Sequence, residues 1–311
     1  LANFIHLDLI TANSLKYFLN SCLLLCMMCC FTIKAQNDSL TLGYKLERCH
    51  KPIKAQEILE FLEEKHFTNK QILEMGTYIS YHGDDQCGNE LMNLCIAKND
   101  SITAGDWHAY SVQNTKHGNY AEAIQALEKS LAINAKEMEG YYGWVLLYYY
   151  RDYEKSLKHL NHYDDLTPQD VDAPVGENIH FLKGLCYYQL GQYQNAINEF
   201  ELNEKFEVSH FGQKNCNTYI YFYIARNYEK LNDLKKAETY YKKAIKQSQF
   251  PIEANFYLGL LYKQSNKLEL SKKHIEKSLK DIKLGYKQQD IYVELFDEVY
   301  QTQIEEALNN K

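Results

Sequence analysis

Between residues 103 and 284, bulky apolar and small residues recur every three or four positions on both sides of short turns rich in Gly and Asn. That spacing puts them on one face of a helix, so each turn reads as the bend of a helix hairpin. Five times the turn ends in an aromatic residue or leucine: Tyr120, Tyr153, Tyr193, Leu234 and Leu268. Three residues later stands a small side chain (Ala123, Ser156, Ala196, Ala237, Ser271), and four beyond that a bulky one (Leu127, Leu160, Phe200, Tyr241, Ile275). Successive markers lie 33, 40, 41 and 34 residues apart, a period that predicts stacked hairpins rather than one closed core. Small residues at a helix crossing let two backbones approach, and bulky neighbours fill the space to the next hairpin. The two longer spacings predict inserted loops over 167–176 and 207–215.

The flanks carry weaker patterns. Gly76 with Gly88 and Met92 predicts a degenerate hairpin over 69–102, and Gly43 with Ala55 and Leu59 another over 36–68. Downstream, Ile291, Leu295, Val299, Ile304 and Leu308 predict one amphipathic helix over 288–309 that caps the last hairpin. The stretch 18–33 is mostly apolar, with Lys16 before it and Ala35 after it. A basic residue, an apolar run and a small-residue exit predict a secretory signal peptide, cleaved near Ala35, which would send the chain to the periplasm or cell surface. The expected organisation is signal 1–35, degenerate hairpins 36–102, about five clear repeats 103–284 and a cap 285–311. No integral membrane span is expected in the mature chain.

The repeats resemble the tetratricopeptide family. Gly184, Tyr187, Gly191, Tyr193 and Ala196 fit its pattern of small residue, Tyr, turn, aromatic and Ala. So do Ala225, Tyr228, Asn232, Leu234, Ala237 and Ala244, then Gly259, Tyr262, Asn266, Leu268 and Ser271; Trp107, Gly118, Tyr120 and Ala123 make a further match. Residues 137–170 fit less well, because Trp144 stands where a small residue is expected. The resemblance implies an all-α, right-handed superhelical solenoid of antiparallel helix hairpins. It also implies a concave groove lined by the first helix of each hairpin. In that register the fifth positions are His108, Tyr141, Phe181, Phe222 and Phe256, the ninth positions include Val145, Leu185 and Arg226, and the twelfth include Tyr148 and Tyr188. Read as a groove, these residues are aromatic and apolar, with charge only towards the C-terminal end, and they suit a peptide anchored by apolar side chains. The alternative is that the rings are inter-helix core or that the register is off by one. The Lys/Asn/Arg clamp with which one subfamily grips carboxylate tails does not stand at these positions.

Composition narrows the chemistry. Of the 311 residues 27 are Tyr and only 4 are Pro, which favours long helices and surfaces that pack on one side while hydrogen-bonding on the other. A net charge of -7 argues against a nucleic-acid partner. The Lys pairs 235–236, 242–243 and 272–273 are offset by Glu238, Glu269 and Glu276. No phosphate-cradling loop, nucleophile elbow or zinc-protease helix is present, so neither an enzyme nor a cofactor is expected. His159, His162 and Asp165 share a helix face, but the expectation is solvated side chains and no metal site. The ring cluster Tyr141, Tyr142, Trp144, Tyr148, Tyr149, Tyr150 and Tyr153 reads as a helix packed on both sides rather than a sugar platform. Cys49, Cys87, Cys95, Cys186 and Cys216 fit no zinc spacing and read as small buried hydrophobes, with one disulfide left open. The functional expectation is a non-catalytic scaffold that binds a protein or peptide. A sensory or regulatory repeat module, or an envelope-assembly or cell-wall-associated factor, stands as the alternative.

Overall fold

The structure, a computed structural model, describes residues 55–82, 85–98, 102–166, 171–286 and 293–309. The expected signal peptide and Cys49 lie outside the described residues, as does Gly43. The described residues form fourteen α-helices with no strand among them, and the chain divides into two compact units, 1–135 and 136–311. The division falls within the expected block of clear repeats.

The first unit contains α1 (Ala55–Glu64), α2 (Asn69–His82), α3 (Asp85–Lys98), α4 (Ala104–Lys116) and α5 (Tyr120–Ile133). Helix α2 packs on α3 and α4 on α5. Gly76 and Gly88 make the α2–α3 crossing: a Cβ on Gly88 would sit 2.4 Å from the Ser80 nitrogen. Ile58, Leu59, Ile72, Leu91 and Met92 form the core. Thr103 opens α4 with a capping box, its hydroxyl accepting from the Asp106 N–H while the Asp106 carboxylate accepts from the Thr103 N–H.

The second unit runs through α6 (Ala135–Val145), a π-helical turn (Leu146–Tyr150), α7 (Tyr153–Leu166), α8 (Ile179–Gln189), α9 (Tyr193–Phe211), α10 (Thr218–Lys230), α11 (Leu234–Gln247), α12 (Ile252–Gln264), α13 (Leu268–Lys283) and α14 (Gln301–Asn309). Consecutive helices pair as hairpins, α8 with α9, α10 with α11 and α12 with α13. Ala196, Ala237, Phe200 and Tyr241 are fully buried at these crossings, and Ile275 nearly so. The bend of each hairpin carries one left-handed residue, Arg151, Gly191, Asn232 or Asn266, always two before the marker residue.

Three expectations are corrected. First, the small residue of the α6–α7 hairpin is Gly143, not position 144. A Cβ on Gly143 would meet Leu160 at 2.8 Å, and Ser156 Oγ donates to the Gly143 carbonyl at 2.7 Å. In the next three hairpins the small residue stands seven before the left-handed one; here Gly143 stands eight before Arg151. The extra residue is absorbed by the π-helical turn, so Tyr141 sits one place out of register while Tyr148, counted back from the bend, aligns with Tyr188. Second, residues 207–211 are not loop. Helix α9 continues to Phe211, Phe206 stacks on His210 at 4.1 Å, and only Gly212, at φ 80°, ends it before a 3₁₀ turn at Gln213–Asn215. Third, the C-terminal helix begins only at Gln301. Residues 293–300 are irregular, with a turn at Phe296–Asp297, because their apolar side chains bury in different places. Ile291 lies outside the described residues. Helix α14 still packs on α13, with Ile304 fully buried, and caps the last hairpin.

Candidate partner-binding face

The first helices α6, α8, α10 and α12 present one inner face of the second unit, and the segment 293–300 lies on it. The π-helical turn widens the end of α6, and the left-handed Arg151 follows it. Tyr148, Arg151 and Tyr153 thereby surround the buried ring of Phe296. Tyr148 stacks on it at 5.8 Å and 16°, Tyr153 meets it edge-on at 6.0 Å, and the Arg151 guanidinium sits over it at 4.5 Å. Arg151 also pairs with Glu294 at 3.6 Å.

One residue on, the backbone turns through the left-handed region at Asp297, φ 56°, which an Asp tolerates better than most residues. The Asp297 carboxylate then accepts from Tyr188 Oη at 2.6 Å, from Arg226 Nε at 3.1 Å and from an Arg226 terminal nitrogen at 3.3 Å. Two parallel guanidinium bonds fix the carboxylate in position as well as in charge. The Phe296 carbonyl accepts from Tyr223 Oη at 2.7 Å. Arg226 is itself buried, lies over the Tyr257 ring at 3.9 Å and donates to Glu229 at 2.9 Å; Glu229 also accepts from Tyr241. Burial pushes the Tyr188 and Tyr223 phenols well above their usual range, so both remain neutral donors. Beyond the turn, Val299 buries against Ile252, Phe256, Ile275 and Ile304.

The ten residues expected to line a groove separate into groups. Tyr148, Tyr188 and Arg226 are brought together around Phe296 and Asp297. Phe256 meets the same segment through Val299. Phe181 packs on Phe200 and Tyr223, and Phe222 on Tyr219, Tyr241 and Tyr257, so both serve inter-helix packing, where Val145 and Leu185 are also buried. Tyr141 is half-buried and stacked on Trp144. His108 belongs to the first unit, on α4, where burial lowers its pKa.

Sequence reasoning missed Phe296, Asp297, Tyr223 and Arg151. The available signal was charge: Glu294, Asp297 and Glu298 cluster downstream of repeats whose inner positions carry Arg226. It also misjudged the histidines. His159 and His162 on α7 are not simply solvated, because both Nδ1 atoms meet the buried Glu139 carboxylate of α6. No group of His, Cys, Asp and Glu among the described residues is arranged to hold a metal. Trp144 is buried, and its Nε1 donates to Glu177, which also accepts from Tyr148. No described helix is long and apolar enough to cross a membrane.

Comparison with known proteins agrees with this architecture. The tetratricopeptide repeat family matches residues 177–202 and 218–250, which cover α8 with the first half of α9, and α10 with α11. Among solved structures, the chain resembles the C-terminal part of a tetratricopeptide-repeat protein from Cytophaga hutchinsonii at 17% identity, covering 75% of this chain and 93% of that one, with a TM-score of 0.54. A tetratricopeptide repeat protein from Parabacteroides merdae is similar at 12% identity, covering 82% and 90%, with a TM-score of 0.51. No curated protein matches the sequence. At these identities the structural likeness speaks to the fold. Tetratricopeptide repeats in general mediate protein–protein interaction. With the hairpin geometry, the crossing residues and the matched segments in agreement, the chain carries tetratricopeptide repeats at residues 177–202 and 218–250, within an all-α stack of helix hairpins.

Proposed function

We propose that this chain is an exported, non-catalytic adaptor that binds a peptide or protein partner on the inner face of α6, α8, α10 and α12. One observation carries the reading. That face holds an irregular peptide segment through a ring site at Tyr148 and Arg151, a donor to a main-chain carbonyl at Tyr223 and a bidentate carboxylate site at Arg226. A ring site, a carbonyl donor and a carboxylate fork are the elements with which a surface reads an extended ligand. The apolar stretch 18–33 between Lys16 and Ala35 supports export to the periplasm or cell surface.

The test is capture from a native envelope fraction by the full chain and by the full-chain variant Tyr188→Phe/Arg226→Gln, once circular dichroism shows that both are folded. A protein retained by the native chain and lost by the variant is expected. Equal retention by both overturns the assignment to this face. Cell fractionation tests export separately: recovery in the periplasm or on the cell surface is expected, and recovery in the cytosol contradicts it.

A further inference from the structure

We infer that the inner face of the second unit recognises, in a partner, a turn-forming peptide with an aromatic residue followed directly by an aspartate. On this inference residues 293–300 are a ligand held in cis, which the partner must displace. The inference rests on the reading above, that this face binds a partner, and it adds the chemistry of the ligand.

The bonds discriminate strongly. Phe296 enters a ring site closed by two tyrosines and a guanidinium. A neutral polar side chain there would forfeit ring stacking and the cation–ring contact. The next carboxylate receives three donors from two residues that are both buried. An amide in its place would oppose its own N–H groups to the guanidinium, and a glutamate would be too long for the spacing set by the Phe296 carbonyl bond to Tyr223. Lysine or arginine would bring like charge to Arg226. The ligand is therefore specified by an adjacent aromatic–aspartate pair.

The edges of the in-cis segment are more open to solvent than this pair. Glu294 and Tyr300 are exposed, and Glu298 is only half-buried. Helix α13 ends at Lys283, and residues 293–300 are themselves irregular up to the start of α14 at Gln301. A segment tethered close to its site competes at high effective concentration and lowers the apparent affinity of a free ligand by the fraction of time the site is open. An in-cis occupancy of about 90–99% would weaken trans binding about 10- to 100-fold.

The experiment measures fluorescence anisotropy of a labelled octapeptide with the sequence of residues 293–300. It is titrated with the full-length native chain, with Phe296→Ala/Asp297→Ala and with Asp297→Asn. The double variant is expected to bind the probe at least about tenfold more tightly than the native chain. A probe with alanine at its aromatic and aspartate positions is expected to bind neither. Equal binding by native chain and double variant overturns the inference, as does equal binding of the alanine probe. If the double variant does not fold by circular dichroism, Asp297→Asn decides. It keeps the Phe296 ring, so a rise in probe binding is expected, and no rise overturns the inference. A native chain that dimerises as its concentration rises and exchanges 293–300 between copies assigns the site to a second copy and overturns the partner assignment.

Failure here is distinguishable from failure of the adaptor reading. If the probe fails but partner capture still depends on Arg226, this ligand chemistry falls and the adaptor stands. If capture ignores Tyr188 and Arg226, the adaptor reading falls whatever the probe does.

Discussion

Gly184→Ala tests the packing that supports the inner face. In an ordinary helix interior this substitution stabilises by about 1 kcal/mol, because alanine loses less backbone freedom. In α8 the new Cβ would stand 2.7, 2.8 and 2.9 Å from three atoms of the Phe200 ring. Relaxed carbon contacts lie near 3.5–4.0 Å, so the ring must retreat by roughly 1 Å. It has little room to do so. Phe200 is fully buried, edge-on to Phe181 at 5.6 Å and stacked on Tyr223 at 5.6 Å and 11°. Tyr223 in turn holds the Phe296 carbonyl, so the displacement passes to the inner face. Overpacking of this kind costs about 1–3 kcal/mol, which leaves a net loss of about 1 kcal/mol after the propensity gain. Urea unfolding followed by circular dichroism measures it. Gly105→Ala on α4 is the control, since its Cβ would meet nothing nearer than Thr103 Oγ1 at 3.9 Å, and that variant should be at least as stable as the native chain. Adding Phe200→Leu to Gly184→Ala should recover part of the loss. A Gly184→Ala chain as stable as the native one, or more stable, would refute the close crossing of α8 and α9.

Further outcomes follow from buried polar groups. Burial lowers the pKa of His108 and of His274, whose Nδ1 lies 2.8 Å from Asn255 Oδ1. The unfolded chain therefore binds more protons between the lowered folded values and the ordinary value near 6.5, so stability is complete above that value and falls as pH drops through the window. Urea midpoints should fall from pH 7.5 to about 5.5, and His274→Asn should flatten that slope; an unchanged slope contradicts the assignment to His274. Glu139→Gln should cost about 1–3 kcal/mol, read as a lower melting temperature, because the buried carboxylate meets both His159 and His162; a neutral effect would show that those contacts are not held in solution. Burial pushes the Cys186 thiol up to about 12, so a disulfide thiol reagent at pH 8 should label it only when the chain is unfolded. Labelling at the same rate in the folded and unfolded states would contradict its burial.

The hairpins were legible because helix crossings impose local residue types. Gly184, Ala225 and Gly259 must be small and each stands seven before a left-handed bend residue, so in each hairpin both signals lie within a dozen consecutive residues. The α6–α7 hairpin was misread by one position because a π-helical turn inserts a residue without changing composition, and nothing in a run of tyrosines marks it. Which rings pack and which face outward was harder to see. Phe181 and Tyr188 lie on one helix, yet only Tyr188 reaches Asp297, and that depends on a segment more than a hundred residues away. The irregular course of 293–300 was hidden for a related reason. Its apolar spacing suits a helix, but Phe296 and Val299 find separate burial sites on the repeats, and tertiary packing overrides the local period.

The central claim, that residues 293–300 are seated on the inner face through the aromatic–aspartate pair, is tested most directly by a double-mutant cycle. Arg226→Gln, Asp297→Asn and the double variant are compared with the native chain by urea unfolding. The two side chains share two hydrogen bonds, one of them at 3.1 Å, and Arg226 is buried, so the single substitutions should not add. The expected coupling is about 1–3 kcal/mol. Additivity within about 0.5 kcal/mol would mean that the two residues do not meet in solution, and the in-cis ligand would be lost from the account.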